Sequence, residues 1–365
     1  MGIKLNLFVL VVIYSMAGMH GTAAAQPSAY TVQPGDTWKA LAMRYDVPEA
    51  EFRSLNPHFN KARQPAIGSA ITLPNGAVER TGQLLRTGES VLTLAVRHQL
   101  HPWAVASLNG LRSPYQPLLY APVFVPGDGI IRDLPPGIDS LELSAHPAAP
   151  GQALGLRGTT LLSDTIITGR LDGLPLSFAG AGNRFAGVVG TGAFYAGGEP
   201  ELMIRVGDGP VWVQPWAFSE QEWEYQELTL TGEAAQIDQQ ARDEERARLR
   251  EIWTQMTIEP SWNTPFSTPI TDYIAVSANY GARRSYNGGP YLTYHEGVDY
   301  SAYAGTPVFA PAAGTVVLAE PLYVRGGAVI INHGLGVYTG YYHLSAVHAI
   351  VGQEVKPGDI LAEVG

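Results

Sequence analysis

Glycine and proline interrupt this chain so often, 41 and 27 times in 365 residues, that a long helix has room in only one stretch. Inside a helix, glycine costs about 1 kcal/mol and proline about 3 kcal/mol relative to alanine. The arrangement that tolerates both is a series of short strands joined by turns. The exception is 233–257, where Arg242-Asp243-Glu244-Glu245-Arg246 and the residues up to Trp253 set acids and arginines three and four apart, as on a solvated helix with one docked edge. Charged residues make up only 15% of the chain, which suits several small β-rich units better than one helical body. The length is enough for about two to four compact domains. A net charge of −10 leaves no basic stripe to displace counterions from phosphates, which argues against nucleic acid as a partner. The chain has no cysteine, which excludes disulfides, thiolate metal sites and a lipid-modified leader.

Residues 1–25 have the layout of an export signal. Lys4 supplies the positive charge, an apolar run extends to Met19, and Ala23-Ala24-Ala25 precedes Gln26. The run is shorter than the ~20 residues a spanning helix needs. The expectation is a cleaved leader, no stable membrane span afterwards, and a protein that is secreted or held in the cell envelope, in periplasm or wall.

A segment then repeats, with drift, about 53 residues further on. The first copy (28–76) opens Tyr30-Thr31-Val32-Gln33-Pro34-Gly35-Asp36-Thr37-Trp38, passes through Leu55-Asn56-Pro57 and closes on Ile71-Thr72-Leu73-Pro74. The second (80–127) keeps Thr87-Gly88-Glu89-Ser90, Leu108-Asn109 and Val123-Phe124-Val125-Pro126, but has lost the opening Tyr-Thr-Val and the Asn-Pro. Each copy predicts a strand, a glycine turn with an acid–hydroxyl pair able to cap a helix, two short helices and a closing strand. The first copy resembles a LysM module, a βααβ unit that binds N-acetylglucosamine-containing glycans such as peptidoglycan. The resemblance implies glycan contacts at Gly35, Asp36, Thr37 and Asn56. The second copy reads as a degenerate module, either glycan-binding or purely structural.

Apolar runs of about five residues recur between glycines over 140–231, for instance Thr165-Ile166-Ile167-Thr168-Gly169 and Leu202-Met203-Ile204-Arg205-Val206, which predicts an immunoglobulin-like β-sandwich. It contains no cluster of catalytic residue types.

The chemistry gathers after Ile270. Tyr280-Gly281-Ala282-Arg283-Arg284 leads to His295-Glu296-Gly297-Val298-Asp299, then Gly305-Thr306-Pro307-Val308, Ile331-Asn332-His333-Gly334, Tyr342-His343-Leu344-Ser345 and Val355-Lys356-Pro357-Gly358-Asp359. A histidine and an aspartate four apart share one face of a helix, or one side of an extended segment. Gly297 and the β-branched Val298 favour the extended form. An imidazole and a carboxylate that converge are suitable ligands for Zn2+.

Together these motifs resemble the lysostaphin/LytM-type zinc metalloendopeptidases, murein hydrolases that cut peptides of peptidoglycan. The resemblance implies an antiparallel-β peptidase domain over 270–365, His295 and Asp299 as zinc ligands, and His343 as the histidine that activates water or steadies the tetrahedral intermediate. His333 then lies behind the ligands or in the core. Arg283 meets a substrate carboxylate or pairs with an acid, and His98, His101 and His348 are surface residues. The resemblance places the third ligand in a His-x-His motif beyond Gly358-Asp359, and the sequence ends at Gly365 without one. The expectation is a fragment of a longer product whose peptidase domain is incomplete here. The whole is a multidomain, mainly β chain: LysM modules, β-sandwich, linking helix and peptidase domain. It reads as an exported peptidoglycan-binding zinc endopeptidase or, alternatively, as a non-catalytic wall-binding scaffold or amidase activator.

Overall fold

The computed structural model describes residues 29–365 apart from 60–62, 87, 119–120, 126–128, 233–235 and 256. The predicted export signal over 1–25 lies outside the described residues. Among the described residues no helix is long and apolar enough to cross a membrane.

The two repeats fold alike. The first runs β1 (Ala29–Thr31), α1 (Trp38–Tyr45), α2 (Glu49–Leu55), β2 (Ala70–Thr72), and the second β3 (Gln83–Leu84), α3 (Val91–Arg97), α4 (Pro102–Leu108), β4 (Pro122–Val123). The outer strands of each pair antiparallel, Tyr30 opposite Ile71 and Gln83 opposite Val123. Hydroxyls cap the leading helices as the sequence predicts: Thr37 Oγ1 accepts Ala40 N–H at 3.1 Å and Ser90 Oγ accepts Thr93 N–H at 3.2 Å. The retained asparagine does the same work in both copies. Asn56 donates to the Phe52 and Thr72 carbonyls and accepts Thr72 N–H; Asn109 bonds Val105 and Phe124 in the same pattern.

Eight strands follow: β5 (Ile138–Leu143), β6 (Ala153–Thr160), β7 (Ile167–Leu171), β8 (Leu174–Pro175), β9 (Ser177–Ala181), β10 (Arg184–Gly190), β11 (Glu201–Val206) and β12 (Trp212–Pro215). They form two four-stranded sheets, ordered β5-β6-β10-β9 and β12-β11-β7-β8. That is the immunoglobulin strand order, with one extra strand beside the second sheet. Leu141, Leu156, Phe185 and Val189 from one sheet and Leu171, Leu202, Ile204 and Trp212 from the other share one apolar core.

The rest comprises β13 (Tyr225–Leu228), α5 (Gln239–Thr254), β14 (Ala275–Ala278), β15 (Arg283–Tyr286), β16 (Thr293–Tyr294), β17 (Asp299–Ser301), β18 (Pro307–Phe309), β19 (Gly314–Leu322), β20 (Gly326–Gly334), β21 (Val337–Val347), β22 (Glu354–Val355) and β23 (Ile360–Val364). The main sheet has six antiparallel strands in the order β18-β23-β21-β20-β19-β22. Helix α5 packs on one face of it, with Leu249 fully buried against Leu318, Leu322, Ala328 and Ile330. On the other face Val308, Val316, Val329, Ile331 and Leu361 form a second core. Two small sheets, β13-β15-β16 and β14-β17, carry the residues that lead into the site.

Candidate metal centre and its surroundings

His295 directly follows β16, and Asp299 opens β17 in a different sheet. The four-residue spacing is therefore spanned by a loop joining two strands rather than by a helical turn. Across that loop His295 Nε2 lies 3.0 Å from Asp299 Oδ1. The backbone holds His295 from both sides: its N–H donates to the Ala282 carbonyl, and its own carbonyl accepts Gly281 N–H. Its Nδ1 lies 3.2 Å from the Asn279 carbonyl. A carbonyl can only accept, so Nδ1 carries a proton, and Nε2 is the nitrogen that faces Asp299. This is the arrangement that orients a metal-binding imidazole. His295 is buried, whereas the Asp299 side chain is about half exposed, so the pair is open to solvent on the carboxylate side.

Arg284, which the sequence reading passed over, reaches the second oxygen of the same carboxylate: its Nη2 is 3.3 Å from Asp299 Oδ2. Its neighbour Arg283 turns the other way, because successive side chains of β15 point to opposite faces. Arg283 meets neither a substrate-facing cleft nor an acid. Its guanidinium sits over Phe194 at 4.3 Å and Trp223 at 4.8 Å, near Tyr294, and donates to the Ala193 carbonyl at 2.7 Å. It thus joins the peptidase region to the 191–195 loop of the sandwich. Gly281 makes this packing possible. Its φ is +86°, and a Cβ there would overlap the Trp223 ring.

His333 is fully buried in β20 with both ring nitrogens engaged, Nδ1 to the Ala313 carbonyl at 2.7 Å and Nε2 to Thr339 Oγ1 at 2.8 Å. The carbonyl fixes the proton on Nδ1, so Nε2 accepts from Thr339, whose oxygen in turn accepts from Tyr341 OH at 2.8 Å. Neither nitrogen is left for a metal, and the residue serves the core. Burial holds this imidazole below its ordinary pKa. The unfolded chain takes up the proton first once pH falls below about 6.5. The stability that neutral His333 supports is therefore complete above that pH and declines on acidification. His333→Gln is expected to flatten the fall of the urea midpoint between about pH 7 and pH 5. Parallel slopes for parent and variant would remove His333 as the cause.

His343 lies on β21 with its side chain exposed and a φ of +58°. The neighbouring Tyr342 phenol is pushed up chiefly by burial, and the Glu296 carboxylate adds to the rise. His98 and His348 bond Gln83 and Glu363 respectively, away from this centre.

The four residues to which the resemblance assigns glycan contacts are all buried. Gly35 donates to Gln214 of β12 at 2.8 Å, Gln214 donates back to the Asp36 and Pro65 carbonyls, and Thr37 Oγ1 reaches Asp133. Asp36 forms an ion pair with Arg44, and Asn56 ties α2 to β2. As placed, the Pro34–Trp38 loop is the seam between the first module and the sandwich. Gln214 is buried polar surface in the middle of a strand, and its role had no sequence signal because its partners lie far away in the chain.

Residues 293–365 match the peptidase family M23, and residues 30–74 match the LysM domain. The chain is 32% identical over 90 residues to the peptidoglycan DD-endopeptidase ShyA of Vibrio cholerae, covering 25% of this chain and 21% of that protein. It is 42% identical over 71 residues to the DD-carboxypeptidase/endopeptidase Mpg of Neisseria meningitidis, covering 20% of this chain and 16% of that protein. A crystal structure of an M23 peptidase from Pseudomonas aeruginosa aligns with 60% of this chain and 82% of its own, at 23% identity and a TM-score of 0.44. The chain spans about a fifth of the length of the curated relatives it matches. The chain carries an M23-family peptidase domain together with a LysM domain.

Proposed function

We propose that the protein is an exported, peptidoglycan-binding zinc endopeptidase. The observation that carries this reading is the His295–Asp299 pair, at 3.0 Å with Nδ1 anchored on a carbonyl, inside the segment matched to the M23 family. The two donors fit zinc: ligands at about 2.0–2.2 Å in a tetrahedral shell lie roughly 3.3 Å from each other. Arg284 on the far oxygen leaves Asp299 Oδ1 for the ion. Among the described residues no third His, Cys, Asp or Glu completes a cluster. When bound, zinc lowers the pKa of water to about 7 and polarises the scissile carbonyl. His343, exposed on β21, would accept a proton from the attacking water or donate one to the departing amine. The LysM module supplies affinity for the wall glycan. Because Gly35, Asp36 and Thr37 are covered, glycan contact at that loop requires the module to part from the sandwich.

A second reading is a non-catalytic wall-binding scaffold that keeps the peptidase fold. Release of dye from labelled sacculi by the purified protein, with and without chelator, separates the two. Release that chelator stops and zinc restores supports the endopeptidase. Chelator-insensitive release overturns the zinc mechanism, and sedimentation with sacculi without release favours the scaffold.

A further inference from the structure

Helix α5 lies outside the segment matched to the peptidase family, yet it is fastened to the turn beside His343. Four residues before the buried Leu249, and so on the same helical face, stands Glu245. Its side chain is only 5% exposed, which is unusual for a carboxylate on a solvated helix. Both of its oxygens are used by the turn between β19 and β20. Oε2 accepts Val324 N–H at 2.7 Å and Oε1 accepts Arg325 Nη1 at 2.6 Å.

Arg325 passes this restraint on. Its guanidinium lies over the Tyr342 ring at 5.4 Å, and its carbonyl accepts His343 N–H at 2.9 Å. At this point the ladder between β20 and β21 slips: Gly327 faces Leu344 and Val329 faces Tyr341. Tyr342 and His343 together therefore oppose Ala328, which is a bulge, and a bulge re-aims the side chains it carries. Gly327 is needed there because a Cβ would collide with the Leu344 carbonyl. His343 itself sits in the left-handed region at φ +58°, a conformation that persists only where neighbouring structure enforces it. The enforcing bonds are the one from Arg325 and a second in which the His343 carbonyl accepts Gly365 N–H at 2.9 Å.

We propose that Glu245 is a positioning residue for His343: it clamps the Tyr323–Arg325 turn, and the turn's carbonyl holds the His343 backbone in its bulge. The catalytic relevance of the clamp rests on the role proposed for His343, but the geometry does not. Glutamate suits the task because two donors approach it. Glutamine would turn an NH2 toward one of them, and aspartate is a methylene too short.

The test is hydrogen exchange and side-chain shifts in the full chain labelled at histidine, with His343 assigned by loss of its signals in His343→Gln. Glu245→Ala is expected to speed exchange of the His343 amide at least ~10-fold and to move its imidazole resonance, while the His333 amide, in the core of the neighbouring strand, keeps its rate. Arg325→Ala is expected to have a similar effect, and the double variant no more than either alone, since both act through one turn. Should Glu245→Ala fail to fold, Glu245→Gln, which keeps one acceptor, is expected to show a smaller change at the same two signals. Unchanged His343 signals in a folded variant, or equal acceleration at His333 and His343, would overturn the clamp. If the parent releases no dye from sacculi, the endopeptidase reading fails while the exchange result still decides the clamp.

Discussion

Arg44→Met is expected to remove about 3–5 kcal/mol from the first LysM module, enough to unfold it within an otherwise folded chain. Arg44 is 1% exposed and its partner Asp36 is 0% exposed. The guanidinium also donates from Nε and Nη2 to the Ile131 carbonyl and from Nη1 to Tyr30 OH. Asp36 is satisfied further by Gln33 N–H and by Tyr30 OH, and burial beside Asp36 pushes the Tyr30 phenol up to about 12. Methionine fills much of the volume but leaves the carboxylate without a cation in a dry site, the costly half of a broken ion pair. The loss also frees the Ile131 carbonyl, and with it the strap from 129–134 that lies over the Pro34–Trp38 loop. Limited proteolysis should cut within 30–74 before the sandwich is touched, and urea unfolding should show an early separate transition. The paired change Arg44→Met with Asp36→Asn is expected to be milder than Arg44→Met alone, because no charge is then stranded. A loss below about 1 kcal/mol for the single variant would show that the pair is not what holds this module.

The second large effect concerns hydrolysis. In protein that releases dye from sacculi, His343→Ala is expected to slow release about 10²–10⁴-fold, the usual contribution of a positioned acid or base. Zinc content should be unchanged, because His343 is proposed to move a proton and not to hold the ion. Asp299→Ala should instead lower zinc content together with release, since it removes one donor of the 3.0 Å pair. Metal analysis beside the release assay distinguishes them. Zinc lost in both variants would make His343 a ligand and refute the role assigned to it.

Much of this architecture is legible from local signals. Glycine and proline mark the strand ends, hydroxyls before apolar helical runs mark the caps at Thr37 and Ser90, and the repeat shows two βααβ units even where one has drifted. The extended reading of the His295–Asp299 spacing agrees with a loop between two strands. The motif-dense C-terminal segment resembles a zinc endopeptidase, and its match to the M23 family agrees. These signals persist because caps, turns and strand alternation depend on residues a few positions apart.

What the tertiary structure alone decided is which side chain meets which. Arg283 looked like the candidate for charge recognition, but strand alternation gives Arg284 to Asp299 and sends Arg283 into aromatic rings of the sandwich. Gly35, Asp36 and Thr37 look like an open binding loop, yet Gln214, far along the chain, closes over them. Glu245 looks like one more solvent-facing acid, and folding buries it against the turn that carries Arg325. In each case the local pattern sets the residue's backbone and leaves its partner open. The partner is chosen by how separate units pack, and no spacing along the chain encodes that.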